Sequence, residues 1–200
     1  RNGSRFEENG WIRVSVSGTP TQRGFANGAL TAREIAEIQR MLRWLIPNSY
    51  GADYDTIVDI VFTLLAPRIE NNFPEYYEEM TAIAAGANSR GAGVTLQDIL
   101  FWNCYYSVSY MMDHIEELVR EDDSLRAKYG KLIEAGLGSG AAEGGGFDRC
   151  TAFIAVGDYT RDGKIVCAHN TFDNFIDSQF QFRNFSCNFW VRIQIYFLLC

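Results

Sequence analysis

The feature that most constrains this chain is the stretch from Gly136 to Gly146, built mainly of Gly, Ala and Ser and ending in Gly144-Gly145-Gly146. Backbone of that composition is too permissive for a regular element, so it reads as an exposed linker. Before it, apolar residues recur at helical spacing; after it, they recur at every second position. A chain whose period changes across a glycine break is neither a uniform helical bundle nor an all-β domain. It is expected to be α+β, with residues 1–149 mainly helical and ending in the linker, and residues 150–200 forming strands.

Within the first part, Trp11 to Val16 alternates Ile12, Val14 and Val16 with Arg13 and Ser15, the pattern of a half-buried strand. Gly18, Pro20 and Gly24 are expected to break it. Thr31 with Glu34 reads as a capping box ahead of a helix carrying Ile35, Ile38, Leu42 and Leu45 up to Pro47. Ile57, Ile60, Val61, Leu64 and Leu65 predict a second helix before Pro67. A third begins at Pro74, which suits a first helical turn, and carries Tyr77, Met80, Ile83 and Ala84. Thr95 with Asp98 opens another, through Leu96, Ile99, Leu100, Asn103, Tyr106 and Tyr110, and one further helix is expected from Ile115 to Ile133. After the linker, Thr151 to Val156 and Lys164 to Ala168 predict a hairpin turning at Arg161-Asp162-Gly163. Phe189, Val191, Ile193, Ile195 and Phe197 alternate with Trp190, Arg192, Gln194 and Tyr196, which predicts a last strand.

Charge narrows the function classes. Eighteen basic against twenty-five acidic residues leave a net charge of −7, which argues against nucleic acid or an anionic membrane as principal partner. No apolar run reaches the roughly 18 residues that a membrane-spanning helix needs. The chain begins at Arg1 rather than Met, which leaves a removed leader and export open, and the compartment undetermined.

Five cysteines make no dense disulfide framework, and their odd number leaves at least one thiol unpaired. Cys150 stands where the linker meets the hairpin. With the turn centred near Tyr159 and Thr160, the residue across the ladder is His169; with the turn on Arg161 and Asp162, it is Asp173. A thiol becomes a nucleophile when an imidazole or a free α-amine takes its proton. His169 supplies the former, and a liberated amine on Cys150 the latter. Asn170 could donate to an oxyanion, and Asp173 could orient the base. The plainer reading is a strand cysteine beside a loop His and Asn. A zinc set of Cys150, Cys167, His169 and Asp173 is disfavoured by the two histidines of the chain and the lack of Cys-x-x-Cys, so no metal or other cofactor is expected.

Cys150-Thr151-Ala152, the Thr160 to Gly163 turn and Ala168-His169-Asn170-Thr171 together resemble the nucleophile region of N-terminal nucleophile hydrolases. The groups it is similar to are the penicillin acyltransferase group of autoproteolytic cysteine peptidases and the phospholipase B-like proteins. Upstream, Gly18-Thr19-Pro20 with Arg23-Gly24-Phe25 and Gly28 resembles the acyltransferase pro-region. So does Glu79 to Asn103, with Ile83-Ala84-Ala85-Gly86-Ala87-Asn88 and Thr95 to Leu100. Asp173 stands one place beyond the family's acidic position, and the resemblance stops near Gln179.

That resemblance implies an αββα sandwich, here incomplete, preceded by a helical pro-region. It implies self-cleavage between Arg149 and Cys150, then hydrolysis or acyl transfer at a linear carbon–nitrogen amide through a thioester on Cys150. His169, Asn170 and Asp173 would assist. The implied partners are a small acyl-amide substrate and, after cleavage, the two chains for each other. The alternatives are a phospholipase B-like lipid acyl hydrolase, or a catalytically inactive binding or structural module whose aromatic tail docks on a partner.

Overall fold

The computed structural model of the chain describes residues 2–8, 11–137 and 151–170. Strands β1 (Gly3–Glu8) and β2 (Trp11–Val16) form an antiparallel ribbon with Arg5 opposite Val14. Ile12, Val14 and Val16 are half-buried while Arg13 and Ser15 are exposed, as the alternation predicts. The break expected after this strand is a helix start. Thr19 and Gln22 form a capping box, and Pro20 takes the first position of α1 (Pro20–Leu30), where its missing N–H costs nothing.

Helix α2 (Ala32–Tyr50) lacks the capping box read at its start. The Thr31 hydroxyl donates to the Asn27 carbonyl at 2.9 Å instead. Glu34 is taken by Arg5, whose two guanidinium nitrogens reach its carboxylate oxygens at 2.7 and 2.8 Å and tie the ribbon to the helix. α2 runs through Pro47 and ends at Gly51, whose φ of +66° favours glycine. α3 (Tyr54–Asn72) starts on an Asp53 cap and likewise passes Pro67. In both, the apolar stripe continues to the proline or beyond it (Ile46, and Ala66 with Ile69), so burial outweighs one lost ladder bond.

Helix α4 (Pro74–Asn88) begins at its proline as predicted, and α5 (Leu96–Cys104) carries the expected Thr95–Asp98 capping box. The helix expected to reach Tyr110 is divided by a tight 3₁₀ turn, Tyr105–Ser107, before α6 (Val108–Asp113). The one expected from Ile115 to Ile133 is two helices, α7 (Ile115–Glu121) and α8 (Asp123–Glu134). The Asp122 side chain accepts from the amides of Ser124 and Leu125 and restarts the chain there.

The core lies between the helices. Ile35, Ile38, Leu42 and Ile46 of α2 meet Ile57, Ile60 and Val61 of α3, Ile83 and Ala87 of α4, and Ile99 to Trp102 of α5. The tightest contact is α1 on α4. A Cβ on Gly28 would lie 2.0 Å from the Ile83 carbonyl oxygen, one on Gly86 would lie 2.1 Å from that of Phe25, and one on Gly24 would lie 2.5 Å from that of Glu79. Only glycine permits backbones this close.

After Glu134 the chain turns through Leu137. The Gly-rich stretch from Gly138, the Arg149–Cys150 junction and the strand predicted at Phe189 to Phe197 lie outside the described residues. The predicted hairpin is present as β3 (Thr151–Gly157) and β4 (Gly163–Asn170). Among the described residues the strands form two separate two-stranded sheets, β1–β2 and β3–β4. This overturns the αββα sandwich, whose two stacked sheets need several strands each. The described chain is a predominantly helical domain with two ribbons. The strand pattern is identical in a two-stranded ribbon and in a wide sheet, so it located β2, β3 and β4, missed β1, and said nothing about sheet width.

Candidate functional site

His169 and Asn170 close β4, while Cys150 and Asp173 lie outside the described residues. The ladder pairs Asn170 with Thr151, His169 with Ala152 and Cys167 with Ile154. His169 therefore stands opposite a residue two places beyond Cys150, and the register that paired it with the cysteine is not the observed one. The cause is an irregularity between Ala155 and Gly157, after which Gly157 faces Gly163. Both adopt positive φ, +59° and +70°, and the turn thereby shifts the register that symmetric pairing predicts.

The hydrolase and acyltransferase reading, with its self-processing step and thioester chemistry, rests on the sandwich and is overturned with it. Among the described residues, the free cysteine with a described side chain is Cys104, and burial pushes its thiol up to about 11, away from thiolate reactivity. Its helix packs it against the core. No group of three or more His, Cys, Asp or Glu placed to hold a metal occurs among the described residues. His114 lies exposed, 4.0 Å from Glu117 at the start of α7. Among the described residues, no helix is long and apolar enough to cross a membrane.

Two buried polar clusters escaped the sequence reading. In the first, Arg23 of α1 donates through Nε to Glu79 Oε2 of α4 at 2.5 Å, both side chains being almost wholly shielded. Glu79 Oε1 is buried without a hydrogen-bond partner. Burial pushes the Glu79 carboxyl up to about 7, opposed by Arg23 and reinforced by Glu75 and Glu78. In the second, Asp98 Oδ1 accepts from Gln39 Nε2 at 2.8 Å and from the Tyr54 hydroxyl at 2.9 Å. Asp98 Oδ2 accepts from the amide and hydroxyl of Thr95, each at 2.7 Å. Trp102 Nε1 reaches the Tyr54 oxygen at 3.3 Å, and Arg43 lies 4.7 Å over the Tyr54 ring. With four donors on one carboxylate, the cluster has no valence left for a ligand and serves to join α2, α3 and α5. The signal available in sequence was a polar residue set in an apolar stripe, as Gln39 is beside Ile38 and Leu42.

The hairpin is different in kind. Phe153 and Val166 share one face, 60% and 48% exposed, and Ile154 and Ile165 share the other, 68% and 71% exposed. On the first face, Phe153, Ala155 and Val166 with Tyr159, Arg161 and Asp162 of the turn line a shallow open depression. An antiparallel ribbon with one wet face normally alternates apolar with polar residues. This one offers water two apolar faces.

Comparison with known proteins gives little kinship. No family model matches the chain, and no solved structure matches it. A protein of Archaeoglobus fulgidus, described only as uncharacterized, is 28% identical over 167 residues, which cover 79% of this chain and 24% of that protein. The chain thus spans about a quarter of the length of this relative.

Proposed function

We propose that this chain is a non-catalytic binding and structural module, in which a helical body carries the β3–β4 hairpin as a docking element for a further polypeptide. The observation that carries this reading is apolar exposure on both faces of one ribbon, Phe153 and Val166 on one side and Ile154 and Ile165 on the other. Strands with that composition are normally interior strands, covered above and below. Patches of this kind mark interaction surfaces. The helical body supplies a core whose described members all lie between residues 32 and 137.

Two measurements test the reading. Ile154→Asp combined with Ile165→Asp is expected to lower binding of an apolar dye several-fold and to leave the helical melting transition in place. Collapse of the helices in this variant would make the hairpin part of the core and overturn the proposal. In the second, alkylation near pH 6 is expected to modify none of the five cysteines faster than the thiol of a short unstructured peptide. One cysteine reacting tenfold faster would restore a nucleophile and remove the non-catalytic reading.

A further inference from the structure

On the reading of the hairpin as a docking element, its turn end also names the kind of segment that docks. The geometry points to the depression on the Phe153 face as a subsite for one extended polypeptide segment, which seats an apolar side chain over Ala155 and sets a carboxylate of its own against Arg161.

The hollow follows from the ladder and the turn. Phe153, Ala155 and Val166 share a face, and Ala155 stands opposite Val166, so a single methyl group lies where its neighbours carry bulk. Tyr159, Thr160, Arg161 and Asp162 of the turn complete the lining. The turn is fixed by its own hydrogen bonds. The Tyr159 amide donates to the Val156 carbonyl at 3.3 Å, and the amide and hydroxyl of Thr160 both donate to the Gly157 carbonyl at 3.0 Å. Asp162 accepts from the Lys164 amide at 3.3 Å and pairs with the Lys164 ammonium at 2.7 Å. A wall set before its partner arrives does not have to be ordered on binding.

The lining defines the chemistry of the occupant. Phe153, Ala155 and Val166 suit an apolar side chain, and the Tyr159 ring beside them is 91% exposed. Tyrosine and arginine are among the side chains that most often anchor interfaces. The two charges of the lining differ in their state, since the Asp162 carboxylate is engaged by Lys164 while Arg161 is exposed. A guanidinium fork matches a carboxylate through two parallel bonds. Phosphate would suit the same fork, but a net charge of −7 repels polyanions and anionic bilayers. A lone carboxylate within a Debye length of about 8 Å responds instead to the cation beside it. Residues two apart in an extended segment lie on one side, about 7 Å from each other. The matching segment therefore carries an apolar residue with Asp or Glu two positions away.

Peptide display on the immobilised full chain tests this. From a library of short random peptides, wild type is expected to enrich an apolar residue two positions from Asp or Glu, and Arg161→Glu to enrich Lys or Arg in place of the acid. A synthetic copy of the leading wild-type peptide is expected to bind at least tenfold more weakly to Arg161→Gln, and to Ala155→Leu, which fills the hollow. The helical melting transition, matched to wild type, serves as the folding control. Added NaCl is expected to weaken the wild-type complex and to leave the Arg161→Gln complex unchanged. Absence of enrichment, enrichment without an acidic residue, or equal affinity for the three proteins overturns the proposal. So does self-association lost in Ala155→Leu, or binding to phosphatidylserine vesicles lost in Arg161→Gln, since the occupant would then be a second copy or a membrane. The dye-binding and alkylation results do not depend on these outcomes, so this assignment and the module reading fail separately.

Discussion

Glu79 is a buried carboxyl whose charged form burial disfavours, with Arg23 only partly offsetting it. Its folded pKa, about 7, lies above the ordinary value of 4.5, so the stability that this group contributes is fully present below 4.5 and is lost as pH rises through about 7. Urea midpoints of wild type relative to Glu79→Gln are therefore expected to fall between pH 5 and pH 8. A difference independent of pH would show that Arg23 holds the carboxylate ionised throughout. Arg23→Ala strands the carboxyl and is expected to cost about 3 kcal/mol or more. Asp98 poses the opposite case, since both its oxygens are saturated with donors. Asp98→Asn turns one acceptor into a donor facing other donors, and a loss of about 2–3 kcal/mol in chemical denaturation is expected.

Among the elements, legibility followed local chemistry. The Pro74 start and the Thr95–Asp98 box were readable because a cap and the residues that satisfy it lie within one turn. The Thr31–Glu34 box failed because the deciding partner, Arg5, lies twenty-nine residues away on a strand the pattern did not mark. α1 was hidden by its own glycines, which read as breakers but serve as contact points. That distinction has a measurable form. Gly28→Ala and Gly86→Ala push a methyl into backbone and are each expected to cost about 3 kcal/mol. Gly130→Ala in α8, where the nearest atom would stand 3.6 Å away, is expected to raise stability by about 0.5–1 kcal/mol. Equal effects at all three positions would show that helix propensity, not packing, governs them.

At the scale of the molecule, α8 is tied to α3 through Tyr129, the residue of α8 that is fully buried. The Tyr129 ring is buried, and its hydroxyl lies 2.8 Å from both Asp59 Oδ2 and Thr63 Oγ1 of α3, with Lys128 also on Asp59. Tyr129→Ala is expected to accelerate hydrogen exchange in α7 and α8 by at least tenfold while amides of α1 and α4 hold their rates. Uniform acceleration would mean that all the helices open together. The candidate site was legible only as a hairpin at the right place. His169 and Asn170 were found on the second strand, but their partners depend on two positive-φ glycines at the turn, a detail that periodicity does not carry. The resemblance to a hydrolase family spanned the helical blocks as well, and those blocks form a packed core with its own reasons for their glycines and caps.

The approach of α1 to α4 also bears on descent. A side chain on the surface of this molecule can drift freely, and one in its interior can be exchanged for another of similar bulk. Positions 24, 28 and 86 admit a single letter, because what faces each is main chain, which no substitution elsewhere can carve back. Distant cousins of the chain should therefore keep this triplet, about sixty positions from end to end, after overall likeness has decayed past detection. A lineage that loses one of the three is expected to hold these two helices farther apart at that position.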